Sequence, residues 1–184
     1  MSTVTLDPPT RGTPATTGGK YLTFALGREE YGLQILKVRE IIGFMDITAV
    51  PRTPAHVRGV INLRGQVIPV VDLRAKFGME SAERTEQTCI IVVEMARDGG
   101  RKLSTGIIVD KVSEVLNIAA ESVEPPPAFG DAVETAFILG MGKIGSSVKI
   151  LLDIDRVLSA TEIAALPTTD AARKDNNHTL AEAA

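Results

Sequence analysis

The chain has 184 residues, of which 44% are hydrophobic and only 4% aromatic, and its formal net charge at pH 7 is −3. A core so poor in aromatic side chains must be built from Val, Ile and Leu, and the β-branched members of this set favour strands. Because Lys and Arg are scattered and the net charge is slightly negative, the chain lacks the basic stripe that neutralises phosphates, and no nucleic-acid partner is expected.

The two ends of the chain differ from its centre in amino-acid composition. Residues 1–19 and 167–184 are rich in small and polar residues and are predicted to be disordered tails, which leaves one ordered domain at 20–166. The N-terminus lacks a signal-peptide pattern, and no apolar run reaches the roughly 18 to 20 residues that span a bilayer. We therefore expect a cytoplasmic protein that does not insert directly into the membrane.

Strands are predicted where short runs rich in Val and Ile end at Gly, Pro, Asn or Asp. The predicted strands are YLTFALG (21–27), EYGLQI (30–35), VRGVINL (57–63), QVIPVVDL (66–73), TCIIVVEMA (88–96), LSTGIIVD (103–110), AFILGMGKI (136–144) and VKILLDI (148–154). One or two helical turns are predicted at LKVREII (36–42) and LRAKF (73–77), and a capped helix at SATEIAALP (159–167). Many short strands are typical of a sandwich or of small barrels.

An internal repeat indicates how these strands are organised. YGLQILKVREII (31–42) aligns without a gap with TGIIVDKVSEVL (105–116), and GVINLRGQVIPVVDLRAKF (59–77) aligns with GMGKIGSSVKILLDIDRVL (140–158). Chance likeness among Val-rich strands is the alternative explanation. Two copies of one β-unit, each of about 65 to 70 residues, are individually marginal in size. We therefore expect two small barrels that pack together and share a core.

The residues that catalysis or metal binding would require are few. His56 falls in a predicted loop, His178 in the predicted C-terminal tail, and the single cysteine, Cys89, lies in a buried-strand pattern. This set does not make a zinc site, and no nucleophile motif is present. We expect no catalytic residues, no metal and no cofactor, so a binding module is favoured and an enzyme remains an alternative.

Two sequence features that resemble ligand-binding or catalytic motifs are interpreted as structural. GMGKIG (140–145) matches G-x-G-x-x-G, but a strand follows it instead of the helix that dinucleotide binding requires, so it is predicted to be a hairpin turn. Asp72 and Asp153 occupy equivalent positions in the two repeats. That equivalence favours a structural task, such as ending a strand or capping the turn that follows.

The repeat strings point to a known family. EYGLQILKVREII, ITAVPRTPAHVRGVINLRGQVIPVVDLRAKF, GIIVDKVSEVL and ILLDIDRVL closely resemble the CheW family of chemotaxis coupling proteins, from about Tyr21 to about Ala165. The same fold forms the regulatory domain of the CheA kinase and part of CheV proteins. The resemblance implies an all-β fold of two five-stranded SH3-like β-barrels with short helices. It also implies a free-standing adaptor that links chemoreceptor cytoplasmic tips to the CheA histidine kinase in membrane-associated arrays.

A receptor-binding surface follows from the resemblance. Arg64 lies at the tip of an apolar hairpin, where its planar fork suits a carboxylate and where Gly65 permits a positive φ. In the family the matching arginine acts together with positions that here are Val38, Glu40 and Gly59. These residues would form a small apolar groove with a charged rim for a receptor helix hairpin. The alternative places Val38 in the core and makes Arg64 a solvated turn residue.

A kinase-binding surface is expected at the ends of the barrels. One candidate segment follows Glu40 and comprises Ile41, Ile42, Gly43 and Phe44. The other is the loop PPPAF, in which Phe129 would be a rigid anchor. The family often has a basic residue just before these prolines, whereas this chain has Glu124, so a salt bridge at that edge would require a partner of opposite charge.

Alternative functions stay open at this stage. The chain could be a CheW-like adaptor of a non-chemotactic chemosensory pathway. It could also be a small-molecule-binding sensor whose ligand lies in a groove between the barrels.

Overall fold

The chain forms an all-β structure with short helices, as predicted. The computed structural model describes residues 18–96, 100–126 and 136–157. The strands are β1 (Gly19–Leu26), β2 (Glu29–Gln34), β3 (Val38–Gly43), β4 (Val57–Leu63), β5 (Gln66–Asp72), β6 (Cys89–Ala96), β7 (Lys102–Val109), β8 (Lys111–Ile118), β9 (Val123–Glu124), β10 (Ile138–Ile144) and β11 (Ser147–Leu152). The helices are α1 (Leu73–Lys76) and α2 (Ile154–Val157), with 3-10 turns at Ile35–Lys37 and Ala120–Ser122.

Most predicted elements are confirmed, and the segment after β2 is the main correction. The eight predicted strands correspond to β1, β2, β4, β5, β6, β7, β10 and β11, and the helical turn predicted at 73–77 corresponds to α1. The helix predicted at 36–42 is wrong, because only the 3-10 turn is helical and β3 follows it. This segment is a strand because it pairs antiparallel with β6. Strands β8 and β9 were not predicted, and the predicted helix at 159–167 lies outside the described residues.

The strands form two sheets, each of which brings its two edges together. The first sheet has the order β8-β1-β2-β11-β10-β9, and the second has the order β3-β6-β7-β5-β4. In the first sheet the edge strands β8 and β9 are joined by a short connection through a 3-10 turn. In the second, the chain that leaves β3 bridges to the far edge at Thr48–Val60. Each sheet is therefore a small barrel, here called the first and the second barrel.

The two repeats are interleaved between the barrels. The first repeat contributes β1 and β2 to the first sheet, and β3, β4 and β5 to the second sheet. The second repeat contributes β6 and β7 to the second sheet, and β8, β10 and β11 to the first sheet. The chain crosses between the sheets after β2 and again after β7. Gly32 pairs with Leu151 across the parallel strands β2 and β11, and the aligned Gly106 pairs with Val70 across β7 and β5. A single repeat therefore does not form a barrel by itself. Equivalent strands of the two repeats nevertheless pair in the same register.

Three hydrophobic clusters divide the apolar side chains. The largest contains buried residues from both sheets, including Phe24 and Leu33 of the first and Ile91 and Ile107 of the second. A second cluster fills the second barrel around Ile90, and a third fills the first barrel. Successive residues of β6 point alternately to the barrel interior and to the shared cluster. The strands are apolar on both faces because each face meets a core, and the expected shared core is confirmed.

Asp72 and Asp153 have the predicted capping role. Oδ1 of Asp72 accepts hydrogen bonds from the backbone N–H groups of Arg74 and Ala75 at the start of α1. Oδ1 of Asp153 accepts one from the N–H of Asp155 at the start of α2, at 3.1 Å. Each carboxylate satisfies backbone donors that a helix start leaves without an intrahelical partner.

Candidate docking surface

The β4–β5 hairpin presents Arg64 at its tip in an unusual backbone conformation. Both turn residues have positive φ, 53° for Arg64 and 83° for Gly65, as a two-residue type I′ hairpin requires. The side chain of Asn62 stabilises the turn by accepting a hydrogen bond from the N–H of Gly65 at 2.9 Å. The prediction for Gly65 is confirmed, and Arg64 shares the left-handed conformation that non-glycine residues seldom adopt.

Arg64 forms a two-pronged ion pair with Glu40 of β3. Its Nη1 and Nη2 donate to Oε1 and Oε2 of the carboxylate at 2.9 and 2.7 Å. These hydrogen bonds and the nearby negative charge raise the pKa of the guanidinium above its usual value. The side chain of Arg64 is 75% exposed and that of Glu40 is 26% exposed. Two predicted receptor residues from opposite edges of the second sheet are thus in contact, with the arginine displayed to solvent.

Val38 contributes less exposed surface than expected. Its side chain is half-buried and packs against the shared cluster. A register shift between Val38 and Glu40 changes the pairing with β6 at this point. Only part of the Val38 side chain is left for a partner.

Gly59 has a packing reason to be glycine. Its φ is +143°, and a Cβ at this position would lie 2.0 Å from the carbonyl oxygen of Thr48. Thr48 and Val60 exchange two backbone hydrogen bonds of 2.9 Å, which hold the segment after β3 on β4. Gly59 therefore allows the close approach that joins the edges of the second barrel.

The residues predicted to contact the kinase after Glu40 alternate in exposure. Ile41 and Gly43 are exposed, whereas Ile42 and Phe44 are half-buried and pack against the interior of the second barrel. The guanidinium of Arg84 lies over the Phe44 ring, 3.8 Å from its centroid. Phe129 lies outside the described residues.

Glu124 has a partner within the chain. It forms an ion pair with Lys143 of the neighbouring strand β10. Both side chains are about half exposed. The acidic residue before the prolines is therefore neutralised locally.

A cleft of about 240 Å³ lies beside α1 and the 81–88 segment. Its lining includes Phe44, Arg58, Asp72, Arg74 and Asp110. Arg58 pairs with Asp72 at 2.7 Å, and Arg74 pairs with Asp110. Because these four charged side chains already form ion pairs with each other, the cleft does not favour the alternative of a small-molecule sensor.

Neither a metal site nor a membrane span is found in the part of the chain that the structure describes. Within it, no three or more His, Cys, Asp and Glu side chains are grouped so that they could hold a metal ion. No helix there has the length and apolar character needed to cross a membrane.

Exposed apolar side chains outside the predicted surface were missed. Leu36 in the 3-10 turn is 95% exposed, and Val115 of β8 is 50% exposed. Val115 aligns in the repeat with Ile41, which is 46% exposed. The repeat alignment was therefore the signal that could have identified Val115 as a counterpart of Ile41.

Comparisons with known proteins agree on one family. Residues 20–162 match the family model for the CheW-like domain. The chemotaxis protein CheW of Klebsiella aerogenes is 42% identical over 149 residues, which cover 81% of this chain and 87% of that protein. The chemotaxis protein CheW of Rhizobium meliloti is 36% identical over 148 residues, covering 80% of this chain and 92% of the relative.

A solved structure has the same fold. The crystal structure of the scaffolding protein TtCheW from Thermoanaerobacter tengcongensis superposes with a TM-score of 0.71 at 35% identity, and the match covers 82% of this chain and 100% of that one. The two-barrel fold, the repeat strings and these comparisons lead to one conclusion: the chain belongs to the CheW-like family.

Proposed function

We propose that this chain, a chemotaxis coupling adaptor, binds the cytoplasmic tip of a chemoreceptor and the regulatory domain of the CheA histidine kinase at separate surfaces. It acts as a scaffold in the cytoplasm, within arrays held by membrane-bound receptors, and carries out no catalysis. Several weak contacts closing into an array raise the effective concentration of each partner, so modest individual affinities suffice.

The exposed Arg64–Glu40 pair supports the receptor part of the proposal. The guanidinium is held by two hydrogen bonds, so its orientation is set before a partner arrives. Its 75% exposure leaves donor groups available to carboxylates or backbone carbonyls of a receptor helix hairpin. Val38 completes the proposed receptor surface with Arg64 and Glu40, and the buried Gly59 supports that surface by letting the segment after β3 pack on β4.

The kinase surface is proposed on the other side of β3 and in the loop after the prolines. Ile41 offers an exposed apolar side chain next to Gly43, while Ile42 and Phe44 support the strand from the barrel interior. Phe129 is the proposed anchor in the loop. An apolar centre with a polar rim is the usual composition of such interfaces.

Arg64→Glu should abolish receptor binding and leave the fold intact. The change places two acids together and reverses the charge presented to the receptor, but an ion pair so exposed to solvent adds little to stability. We expect the melting temperature to fall by less than about 4 °C. Titration calorimetry against a receptor tip fragment, and separately against a kinase regulatory domain, measures both affinities.

Two control variants make this experiment decisive. Arg28→Glu makes the same charge change at an exposed turn of the first sheet and should keep both affinities. The exchange Glu40→Arg with Arg64→Glu restores the internal pair but reverses its polarity, so stability should recover while receptor binding stays lost. Receptor binding that survives Arg64→Glu would contradict the proposal, as would an equal loss in Arg28→Glu.

A further inference from the structure

The chain between α1 and β6 crosses the surface of the second barrel without forming a helix or a strand. Its middle part, residues 81–84, is exposed at every position and is here called the cover segment. On the side of α1, Nη1 of Arg74 holds the chain by donating to the carbonyl of Glu80 at 2.9 Å. On the side of β6, the N–H of Thr85 donates to Oγ1 of Thr88 at 3.0 Å. The cover segment is therefore held at both of its ends.

A cation–π contact ties the cover segment to the end of β3. The guanidinium of Arg84 lies over the ring of Phe44, 3.8 Å from its centroid. The ring also packs against the cluster inside the second barrel. Because Arg84 is an exposed residue, it occupies the side of the ring that faces solvent.

Open space lies on both sides of the cover segment. Ala82 and Glu83 line the cleft of about 240 Å³ described above, and they also line a second cleft of about 450 Å³ that Gly27 and Arg28 of the first barrel border. A segment with so much open space around it buries little apolar surface. Segments with few buried contacts open at a low free-energy cost, so the cover segment can move while both barrels stay folded.

The surface beneath the cover segment is apolar. Phe44, Ile47 and Ile108 line the smaller cleft, and all three are half-buried side chains that pack against the second barrel's interior cluster. This apolar floor continues the proposed kinase surface, because Phe44 follows β3 and its exposed Ile41 along the chain. With the guanidinium of Arg84 in place, an apolar side chain of a partner has no access to the outer side of the Phe44 ring.

We propose that the cover segment occludes the Phe44 end of the kinase surface, with Arg84 as its latch, and that binding of the kinase regulatory domain displaces it. This role rests on the proposed function, since Phe44 must first belong to the kinase surface. A closed cover shields the apolar floor from solvent while no partner is bound. It also weakens the apparent affinity for the kinase by the fraction of molecules in which the cover is open.

Arg84→Ala in the full chain should tighten binding of a kinase regulatory domain. An exposed cation–π contact has a free energy that corresponds to a factor of about two to five in affinity, so we expect the Kd to fall by about that factor in titration calorimetry. Affinity for a receptor tip fragment should stay unchanged, because Arg64 precedes β5 whereas α1 and the cover segment follow its other end. Unchanged or weaker kinase binding in Arg84→Ala overturns the proposal.

Arg101→Ala is the charge-matched control. Arg101 is exposed and follows β6, whereas the cover segment precedes that strand. The same loss of positive charge there should leave kinase affinity unchanged. Equal tightening in the two variants would mean that net charge, and not the latch, sets the affinity, and this result also overturns the proposal.

A double-mutant cycle tests the latch itself. Phe44→Leu keeps an apolar side chain but removes the ring, so adding Arg84→Ala to it should give no further tightening. The same tightening with and without the ring would show that Arg84 does not act through Phe44. A wild type that fails to bind the kinase domain would instead refute the kinase surface of the proposed function, and the role of the cover with it.

A measurement on the free chain covers the case in which Phe44→Leu does not fold. The sequence contains no tryptophan, so Phe44→Trp supplies a single indole beneath Arg84. Adding Arg84→Ala should increase the quenching of its fluorescence by acrylamide, because the indole loses its cover. Quenching that stays the same would show that Arg84 does not shield this position, which contradicts the latch.

Discussion

At the scale of single residues, positions that the family resemblance assigns to binding differ in what they do for the fold. Arg64 is exposed and is held by one carboxylate, so its removal leaves the packing of the barrels unchanged. Gly59 is buried beneath Thr48, where no larger residue fits. A loss of receptor binding therefore has different physical meanings at these two positions.

Gly59→Ala should destabilise the protein strongly. The added methyl group would overlap the Thr48 carbonyl, so the segment after β3 must move off β4. We expect the free energy of unfolding to fall by about 3 kcal/mol, as measured by urea denaturation. Gly43→Ala is the control, because a Cβ there meets nothing within 4 Å and the change should be nearly neutral. Equal stability of the two variants would show that the Thr48 contact does not hold the barrel closed.

Asp110→Asn should reduce stability at neutral pH and flatten its acid dependence. The hydrogen bonds from Arg74, opposed by burial and aided by the N–H of Gly27, lower the pKa of Asp110. Because the folded pKa lies below the unfolded value of about 3.9, this contribution is full above that value and is lost as the pH falls through the folded pKa. We expect a loss of about 2 kcal/mol at pH 7.

Denaturation of the wild type and of Asp110→Asn between pH 7 and pH 2 checks this sign. The difference in unfolding free energy should shrink as the pH falls. A difference that stays constant or widens towards low pH would mean that the ionised carboxylate is not what stabilises the crossing.

At the scale of elements, β3 is a strand that the sequence pattern did not predict. The apolar spacing of 36–42 resembles a helical turn, but pairing with β6, about fifty residues away along the chain, makes it a strand. The local pattern alone favoured the wrong element, because it does not reveal the strand with which the segment pairs. The contact of Arg64 with Glu40 could not be predicted for the same reason, because it depends on the closure of the second barrel. By contrast, the caps at Asp72 and Asp153 were predictable because they act within a few residues.

Substituting neighbouring residues of β3 tests its strand character. Ile41 is 46% exposed, while Ile42 packs against the interior of the second barrel. Ile41→Lys should change the unfolding free energy by less than about 0.5 kcal/mol, whereas Ile42→Lys should lower it by about 2 kcal/mol. Thermal unfolding of the two variants gives the comparison. If Ile41→Lys is the more damaging, the assigned faces of β3 are reversed.

At the scale of the whole molecule, interleaving explains how a small adaptor would hold the two proposed docking surfaces in a fixed relation. The largest hydrophobic cluster draws on both sheets, and the chain crosses between them twice. The barrels therefore cannot separate without breaking the shared core. Sequence reasoning predicted that core from the repeat, but not the interleaving, because the aligned strings are compatible with pairing inside a repeat or between repeats.

The fixed relation of the surfaces matters only if both can be occupied at once. The most direct measurement is capture of a CheA regulatory domain on an immobilised receptor tip fragment, with and without this chain. The proposed function predicts that the kinase domain is retained only when the chain is present, and that the Arg64→Glu variant binds the kinase domain in solution but no longer brings it to the receptor. Kinase capture that is unchanged by Arg64→Glu, or competition between the receptor fragment and the kinase domain for the chain, would contradict the bridging role.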